Sequence, residues 1–521
     1  MLSRPSSKLR LMMALLCGAL SPFAFAPYHF SPVLLPALMG LLWLSEAQTA
    51  KRSALLGWSF GFGLFAHGIA WVHVSIDNFG GLPLPVSLLL MTLLASYLAL
   101  FPALTLGLLG RFWPEASGRR VLAFSALWLL TEWLRGKLLT GFPWLWLGYS
   151  QVEGPLAPLA SSLGALGLGW LIALLAGALL MLLRRRWLWL LAPASTALAL
   201  TLLPTLNTIE RSGETFSVAL VQGNIPQSLK WEPEQLWPTL LKYQDLSRPH
   251  MDADLVVWPE AAVPAPEMMV DDFLNSFDHA AAFRGTHVIT GIISADSVTR
   301  EFFNSLLVLG DDDGPRRHQP GDDNRYHKSH LLPIGEFVPL ESVLRPLAPL
   351  FNLPMSSFTR GDRVQQNLRA GELNLAPAIC YEIAFPEQLR ANITDDTDLL
   401  LTVSNDAWFG HSTGPLQHME IARMRSMELG KPLLRVTNNG VTAIVDELGR
   451  MQAKLPQFEE GVLTGDVALV QGSTVFGRYG QNSAWLLALL ALVGACIRVP
   501  ASSARRSDDR TQDRPAEDQA D

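Results

Sequence analysis

The segment ELNLAPAICYE, residues 372–382, is an apolar run that ends in a cysteine followed by a tyrosine and a glutamate. Such a run is typical of a core strand, and segments that follow core strands often carry catalytic residues. Cys380 is the only cysteine in the polar half of the chain, because Cys17 and Cys496 fall inside long hydrophobic segments. It has no evident disulfide partner, which leaves two interpretations: a small hydrophobic core residue or a reactive thiol.

The composition divides the 521 residues into an apolar part and a polar part. Hydrophobic residues make up 49% and charged residues 17% of the whole, yet residues 8–204 are nearly free of acids. Residues 213–475 instead have the mixed composition of a globular domain that is large enough for a sizeable core. The net charge of −7 and the absence of a basic stripe in the polar part give no argument for nucleic-acid binding.

Segments long and apolar enough to cross a bilayer, which takes roughly 20 mostly apolar residues, occur on both sides of the polar part. About seven precede residue 205 and an eighth follows, at 9–25, 31–47, 53–74, 85–109, 121–134, 162–183, 187–203 and 483–497. We therefore expect a transmembrane bundle at 1–205, a folded domain at 213–475, a last transmembrane helix at 482–500 and a disordered tail at 501–521.

Basic residues are distributed unevenly around these segments. Lys and Arg precede the first segment and follow the second, fourth, sixth and eighth, whereas the loops 25–32 and 75–85 contain neither. Because loops rich in Lys and Arg stay in the cytoplasm, both termini and the tail are predicted to be cytoplasmic. The polar domain then faces outward, which in a bacterium is the periplasm. Arg135 and Lys137, at the outer end of the fifth segment, are the exception.

Within the polar domain, short β-branched runs alternate with helical patterns at 235–246, 271–284, 386–392 and 417–429. This order is typical of an α/β or α+β layered domain. Three of the predicted strands are followed by residues that could take part in catalysis. Glu260 follows one, Cys380 follows another, and Lys328 follows a third, with Glu336 eight positions after Lys328. A thiol nucleophile needs a base, and an acyl-transfer oxyanion needs a cation or N–H donors. A carboxylate, an ammonium and a thiol meet both needs.

These segments resemble a known superfamily in order along the chain. DLVVWPEAAVP (254–264), KSHLLPIGEFVP (328–339), APAICYEIAFPE (376–387) and LTVSNDAWFG (401–410) are similar to the signatures of the nitrilase, or carbon–nitrogen hydrolase, superfamily. Together with EWLRGKLLTGFPWLWLGYSQ (132–151) and VQGNIPQSLKWEP (221–233), the whole chain up to the tail resembles the apolipoprotein N-acyltransferase branch of bacterial inner membranes. The resemblance implies an α-β-β-α sandwich for the polar domain.

The resemblance also implies roles for individual residues. Glu260 would be the general base, Lys328 would stabilise the oxyanion, and Cys380 would form a thioester acyl-enzyme. Glu336 would orient Lys328 or assist proton transfer, and the backbone N–H of Tyr381 would help Lys328 to stabilise the oxyanion. The positions that match residues around the family's substrate pocket are Trp231, Tyr381 and Glu382. The residues that would shape this pocket are Asn405, Asp406 and Trp408. The donor would be a phospholipid and the acceptor the diacylglyceryl-cysteine of an apolipoprotein.

Trp144, Trp146 and Tyr149 admit two interpretations. They could line a lateral entrance for lipid, or they could form an interfacial aromatic belt. We expect no metal or cofactor, since His67 and His73 lack metal-ligand spacing, and we expect a monomer.

Two other functional classes stay open from the residues alone. A membrane-bound amidase of the nitrilase type would use the same triad with water as acceptor, although the predicted bundle is larger than a tether requires. A transporter or receptor would use the polar domain only for binding, but the predicted spans contain few of the ionisable residues that mark a transport pathway.

Overall fold

The computed structural model describes residues 5–78, 81–296, 298–310, 318, 321–333, 335–337 and 358–497. The predicted tail at 501–521 lies outside the described residues, as do the last three residues of the predicted span at 482–500.

Helices make up the described N-terminal part. In chain order they are α1 (Ser7–Leu20), α2 (Leu34–Leu44), α3 (Ala50–Gly68), α4 (Val72–Asn78), α5 (Leu84–Leu98), α6 (Leu100–Phe112), α7 (Gly118–Arg135), α8 (Ala160–Leu183) and α9 (Leu191–Leu202). Side-chain caps mark where several begin: the oxygens of Ser6, Thr49 and Ser117 accept hydrogen bonds from backbone N–H groups in the first turns of α1, α3 and α7.

Each of the eight predicted spans contains a helix, but the helices differ in length. Within the described residues, three helical stretches are long and apolar enough to cross a membrane: Leu84–Phe112, Ala157–Leu183 and Trp187–Leu206. The apolar helices Ser31–Leu44 and Asn482–Cys496 are shorter. The number of eight crossings therefore stays a prediction.

Two β-sheets form the polar domain in the described part of the chain. Their strands are β1 (Glu210–Gln222), β2 (Leu255–Val257), β3 (Val263–Pro266), β4 (His287–Ala295), β5 (Phe302–Leu309), β6 (Arg325–His327), β7 (Leu368–Ala370), β8 (Leu373–Ile379), β9 (Leu399–Ser404), β10 (Leu433–Thr437), β11 (Ala443–Val445), β12 (Met451–Lys454) and β13 (Gly461–Gln471). One sheet has the strand order β13-β1-β2-β4-β5-β6 with β3 beside β4, and the other has the order β12-β11-β10-β9-β8-β7.

The two sheets pack face to face because their strands alternate. In β9, Leu399, Leu401 and Val403 belong to the core between the sheets, whereas Leu400 faces the other side. The outer face of the first sheet packs against α10 (Leu236–Ser247) and α11 (Asp271–Arg284). The later helices are α12 (Pro386–Ala391), α13 (Gly414–Leu429), α14 (Val475–Tyr479) and α15 (Asn482–Cys496). With α13 on the outer face of the second sheet, the layers are α-β-β-α.

Helix α13 joins this domain to the helical bundle. It is buried along nearly its whole length, and one continuous hydrophobic core contains residues of α13, of the second sheet and of α8. Its polar side chains find partners in the bundle: Gln417 accepts hydrogen bonds from the indole N–H groups of Trp71 and Trp144, and Glu428 accepts one from the backbone of Ala165 at 2.7 Å. The bundle and the sandwich therefore pack as one unit.

Leu401 tests the core between the sheets. It is fully buried, so Leu401→Ala should destabilise the protein by about 2–5 kcal/mol through lost contacts and a residual cavity. We expect a lower midpoint of thermal unfolding in detergent. Leu448→Ala is the matched control, because Leu448 is 49% exposed and its truncation should leave the midpoint nearly unchanged. Equal midpoints for the two variants would contradict this packing.

Candidate active site

Glu260 follows β2 and is anchored by four hydrogen bonds. Its Oε1 accepts from the Asn304 amide at 2.8 Å and from the Lys328 ammonium at 3.2 Å, and its Oε2 accepts from the backbone N–H of Asn405 at 3.0 Å. Its backbone carbonyl accepts from the Lys230 ammonium at 3.0 Å. The parallel pairing of β2 with β1 and β4 fixes the end of the strand from which this carboxylate projects.

Lys328 follows β6 and is 1% exposed. Its ammonium donates to the carboxylates of Glu260, at 3.2 Å, and Glu336, at 2.9 Å. The Lys328 backbone N–H donates to the carbonyl of Asn304 on β5, and the Asn304 amide donates to both carboxylates. A buried ammonium costs several kcal/mol unless paired, and here two carboxylates surround it.

Cys380 follows β8 and begins a short 3₁₀ helix, Cys380–Ala384. Its φ of 53° lies in the left-handed region, which costs a residue other than glycine roughly 1–2 kcal/mol. Two contacts hold this turn: the Glu382 carboxylate accepts from the backbone N–H of Ile379 at 2.8 Å, and the His418 Nε2 lies 3.1 Å from the Cys380 carbonyl. His418 is in turn paired with Asp406. The Cys380 residue as a whole is half-buried.

The electrostatics of the three residues favour a protonated thiol beside an ionised base. Burial, and then the nearby Glu260 carboxylate, raise the pKa of Cys380 well above its usual value, while Lys328 opposes the shift. Burial acts to raise the pKa of Glu260, but the Lys328 ammonium and the Asn304 amide outweigh it and hold this pKa below its usual value. The two carboxylates outweigh burial and raise the pKa of Lys328. A carboxylate is thus ready to accept the thiol proton.

The predicted supporting residues occupy different places. Glu336 contacts Lys328 directly, as the orienting role requires. The Tyr381 hydroxyl donates to the carbonyl of Gly141 in the bundle at 2.8 Å. Glu382 is 1% exposed and accepts hydrogen bonds from Tyr326, Ser329, His330, Ile379 and Gln388. Its carboxylate therefore ties the segment after Lys328 to the turn of Cys380, and its place beside the substrate pocket stays a prediction.

The predicted aromatic residues lie on several sides of this site. Trp231 is half-buried, with its ring 5.9 Å from the Lys230 ammonium, and the backbone carbonyl of Trp408 accepts from Ser75 of α4 at 2.7 Å. Trp144 and Trp146 are 1% and 3% exposed. Because these two tryptophans are buried, they do not form a lipid-facing belt. Their substrate-binding role stays a prediction.

The structure adds residues that sequence analysis missed. Lys230 is buried against the backbone of Glu260, and burial lowers its pKa to about 8. Asn304 donates to both carboxylates, and Gln227 accepts a hydrogen bond from the side-chain amide of Asn405 at 2.6 Å. The only sequence feature that pointed to Lys230 as part of the site was its position beside Trp231, in a segment that resembles the family. Among the described residues, no group of three or more His, Cys, Asp or Glu side chains could hold a metal ion.

Comparison with known proteins identifies the family. Residues 217–474 match the family described as Carbon-nitrogen hydrolase, and residues 17–178 match the one described as Apolipoprotein N-acyltransferase N-terminal domain. A protein of Shewanella oneidensis named Apolipoprotein N-acyltransferase is 57% identical over 503 residues, 95% of each chain. The chain belongs to the apolipoprotein N-acyltransferase family. A Vibrio cholerae member is 52% identical over 93% of this chain and 96% of its own length.

Membership in the apolipoprotein N-acyltransferase family confirms the nitrilase-like domain and makes the chain a membrane-bound acyltransferase. Two solved structures are also similar: Nit3 of Saccharomyces cerevisiae and a carbon-nitrogen hydrolase of Helicobacter pylori, each 16% identical with a TM-score of 0.34. Each match covers 49% of this chain. It covers 90% of the Nit3 chain and 89% of the Helicobacter pylori chain.

The pKa of Cys380 can be tested by its alkylation. Lys328→Met removes a charge that lowers this pKa. At the same pH, iodoacetamide should therefore alkylate Cys380 more slowly in K328M than in the unmodified protein, because a higher pKa leaves a smaller fraction of thiolate. Peptide mass spectrometry measures both rates.

Exposed Cys496 is the internal control, because its alkylation should be the same in both proteins. Equal or faster alkylation of Cys380 in K328M than in the unmodified protein would show that the charge of Lys328 does not act on the thiol as described.

Proposed function

We propose that this protein transfers an acyl chain from a membrane phospholipid, through a thioester on Cys380, to the α-amino group of the diacylglyceryl-cysteine that begins an apolipoprotein. Lipoprotein N-acylation is the activity named for its full-length relatives. The observation that carries the mechanism is the buried Glu260–Lys328 pair, whose charges both act on the Cys380 thiol.

In the first half-reaction, Glu260 takes the Cys380 proton as the sulfur attacks the carbonyl carbon of an acyl ester. The ammonium of Lys328 and the backbone N–H of Tyr381 stabilise the tetrahedral oxyanion. When the C–O bond breaks, Glu260 returns the proton to the departing oxygen, and lysophospholipid leaves. Cys380 then carries the thioester.

In the second half-reaction, the α-amino group of the acceptor attacks the thioester. Glu260 accepts a proton from this amine and, as the C–S bond breaks, donates it to the departing sulfur, which restores the Cys380 thiol. The sequence of two transfers through one acyl-enzyme is a ping-pong mechanism. Glu336 keeps Lys328 in position through both steps, because the ammonium donates to it at 2.9 Å.

The membrane bundle serves this chemistry because both substrates are anchored in lipid. Each buried CH₂ contributes roughly 0.8 kcal/mol to membrane binding, so a soluble enzyme would face a prohibitive cost in extracting a whole acyl chain. We propose that the active site lies near the outer leaflet and that lipid enters it sideways. Trp144 and Trp146, in the segment that leads from α7 to α8, are the proposed substrate contacts of the bundle, and Trp231 and Trp408 those of the sandwich.

The proposed topology follows from the distribution of charge. We propose about eight crossings with both termini inside and residues 213–475 in the periplasm, because Lys and Arg follow every even-numbered predicted span. The beginning of β1 at Glu210 and of α15 at Asn482 supports domain boundaries near 205–213 and 475–482. We propose that the protein acts as a monomer, without a cofactor.

The thioester is the decisive test. After incubation with a labelled phospholipid, Cys380 should gain the mass of one fatty acyl group, which neutral hydroxylamine removes. Cys380→Ser should form no hydroxylamine-sensitive adduct and no product, because the hydroxyl is a far weaker nucleophile at its ordinary pKa. Cys17→Ser is the matched control and should acquire the adduct. An adduct that persists in C380S would refute the assignment of the nucleophile.

Addition of a diacylated lipopeptide separates the transferase from the amidase that uses water. We expect the label to appear on the peptide as an amide, with the acyl-enzyme consumed at the same rate. Label released only as free fatty acid would identify the alternative, a membrane-bound nitrilase-type amidase.

A further inference from the structure

A cavity of about 470 Å³ lies where the bundle meets the sandwich. Its walls come from the outer end of α7, the segment that follows Lys328, and the first turn of α12. Apolar walls are contributed by Trp133, Trp146 and Phe385. Its volume falls within the range of about 300–1,000 Å³ that is typical of small-molecule sites.

The lining of the cavity is strongly cationic. Lys137, Arg360 and Arg363 all contribute to it, whereas Glu387 is the acidic residue among its described lining residues. The Glu387 carboxylate is already engaged, because it accepts from the Arg390 guanidinium at 3.0 Å and from the backbone N–H of Gln481 at 2.9 Å. The cavity therefore has an excess of positive charge.

These three cations are available to a ligand. Across the described residues, no ion pair or hydrogen bond engages the charged ends of Lys137 and Arg363, and Arg360 lies over the ring of Phe337 at 4.6 Å. A concave site with several unpaired cations recognises an anion with multiple oxygens, and phosphate is the group that arginine and lysine bind best.

The surroundings indicate an amphiphilic ligand. Leu138 and Leu139, next to Lys137 in the chain, are 51% and 67% exposed, although both are apolar. They follow α7, a helix of the bundle, at the end that the charge distribution places outside. The cationic cavity lies beside exposed leucines at the end of a membrane helix. Lipid phosphates lie at the same depth, where the hydrocarbon core of the bilayer gives way to the headgroups.

Residues that line the cavity adjoin the candidate active site, both along the chain and through ring contacts. Its lining residues Ser329 and His330 directly follow Lys328. Phe385, also in the lining, stacks on His330 with ring centroids 3.7 Å apart and meets Tyr381, the residue after Cys380, edge-on at 5.1 Å. In a glycerophospholipid the phosphate and the acyl esters share one glycerol backbone, so a phosphate in this cavity would bring an ester toward Cys380.

We propose that this cavity binds the phosphate diester of the acyl-donor phospholipid, with Lys137, Arg360 and Arg363 as its ligands. The assignment rests on the proposed function for the identity of the donor. It explains why Lys137 stands on the outer side of the bundle, where the distribution of Lys and Arg makes it an exception. In this proposal the three cations recognise the donor by its negatively charged phosphate, a group that all phospholipid classes share.

Binding to full-length Cys380→Ala protein in detergent tests this site without acyl transfer. The probes are a fluorescent phosphatidylglycerol and a diacylglycerol with the same chains and label but no phosphate. Relative to C380A alone, adding Lys137→Gln, Arg360→Gln and Arg363→Gln should raise the Kd for phosphatidylglycerol at least about tenfold, because charge-assisted hydrogen bonds are lost. The Kd for diacylglycerol should not change.

Lys454→Gln is the matched control, since Lys454 is exposed on β12, away from the cavity lining. It should leave both dissociation constants unchanged. Loss of affinity for both lipids in the triple variant, or an unchanged Kd for phosphatidylglycerol, would overturn the proposal.

Competition distinguishes a lipid site from a site for free phosphate. Glycerophosphoglycerol, which retains the diester, should displace phosphatidylglycerol from C380A protein at lower concentration than inorganic phosphate. Equal displacement by the two would overturn the lipid assignment. Because no acyl group moves in these measurements, they are independent of the thioester test, so failure of one proposal is distinguishable from failure of the other.

Discussion

The buried ammonium of Lys328 is the constraint around which the active site is organised. At 1% exposure it cannot stay charged without carboxylate partners, and the structure supplies Glu260 and Glu336. These partners come from segments that follow β2 and β6, and Asn304 on β5 bridges both. The same pairing keeps Glu260 ionised beside a protonated thiol. The interaction that stabilises the buried ammonium therefore also keeps the proposed base in its proton-accepting form.

A second constraint lies in helix α13, which packs behind Cys380, the proposed nucleophile. This helix carries Gln417, His418, Arg425 and Glu428, yet it is buried between the second sheet and the bundle. Three of these side chains have partners outside the helix: Gln417 with bundle tryptophans, His418 with the Cys380 carbonyl, and Glu428 with the backbone N–H of Ala165 in α8. Arg425 pairs with Glu428 within the helix itself. The backbone position of Cys380 therefore depends on how the bundle and the sandwich pack, which suits an enzyme whose substrates arrive from lipid.

Sequence patterns predicted the strands that end at Glu260 and Cys380, because their apolar runs are short and terminate in polar residues. They did not predict Asn304 or Lys230 as parts of the site. Asn304 lies 44 positions from Glu260, within an apolar strand where nothing local distinguishes it. Nor did the sequence patterns predict the hydrogen bonds that Glu382 accepts from Tyr326 and Ser329, which lie 56 and 53 positions away in the chain. Helix α13 has the composition of a surface helix, and only its position between two layers makes it core.

The amino-acid sequence by itself determined the division into apolar and polar parts, the layered α/β character of the latter and the residue types available for acyl transfer. These properties are local: they follow from hydrophobic periodicity, charge near span ends and the residues that follow strands. Tertiary structure decided which carboxylates surround Lys328, which groups hold the strained turn of Cys380, and where Lys137, Arg360 and Arg363 meet. Those contacts join segments far apart in the chain, and packing alone selects them.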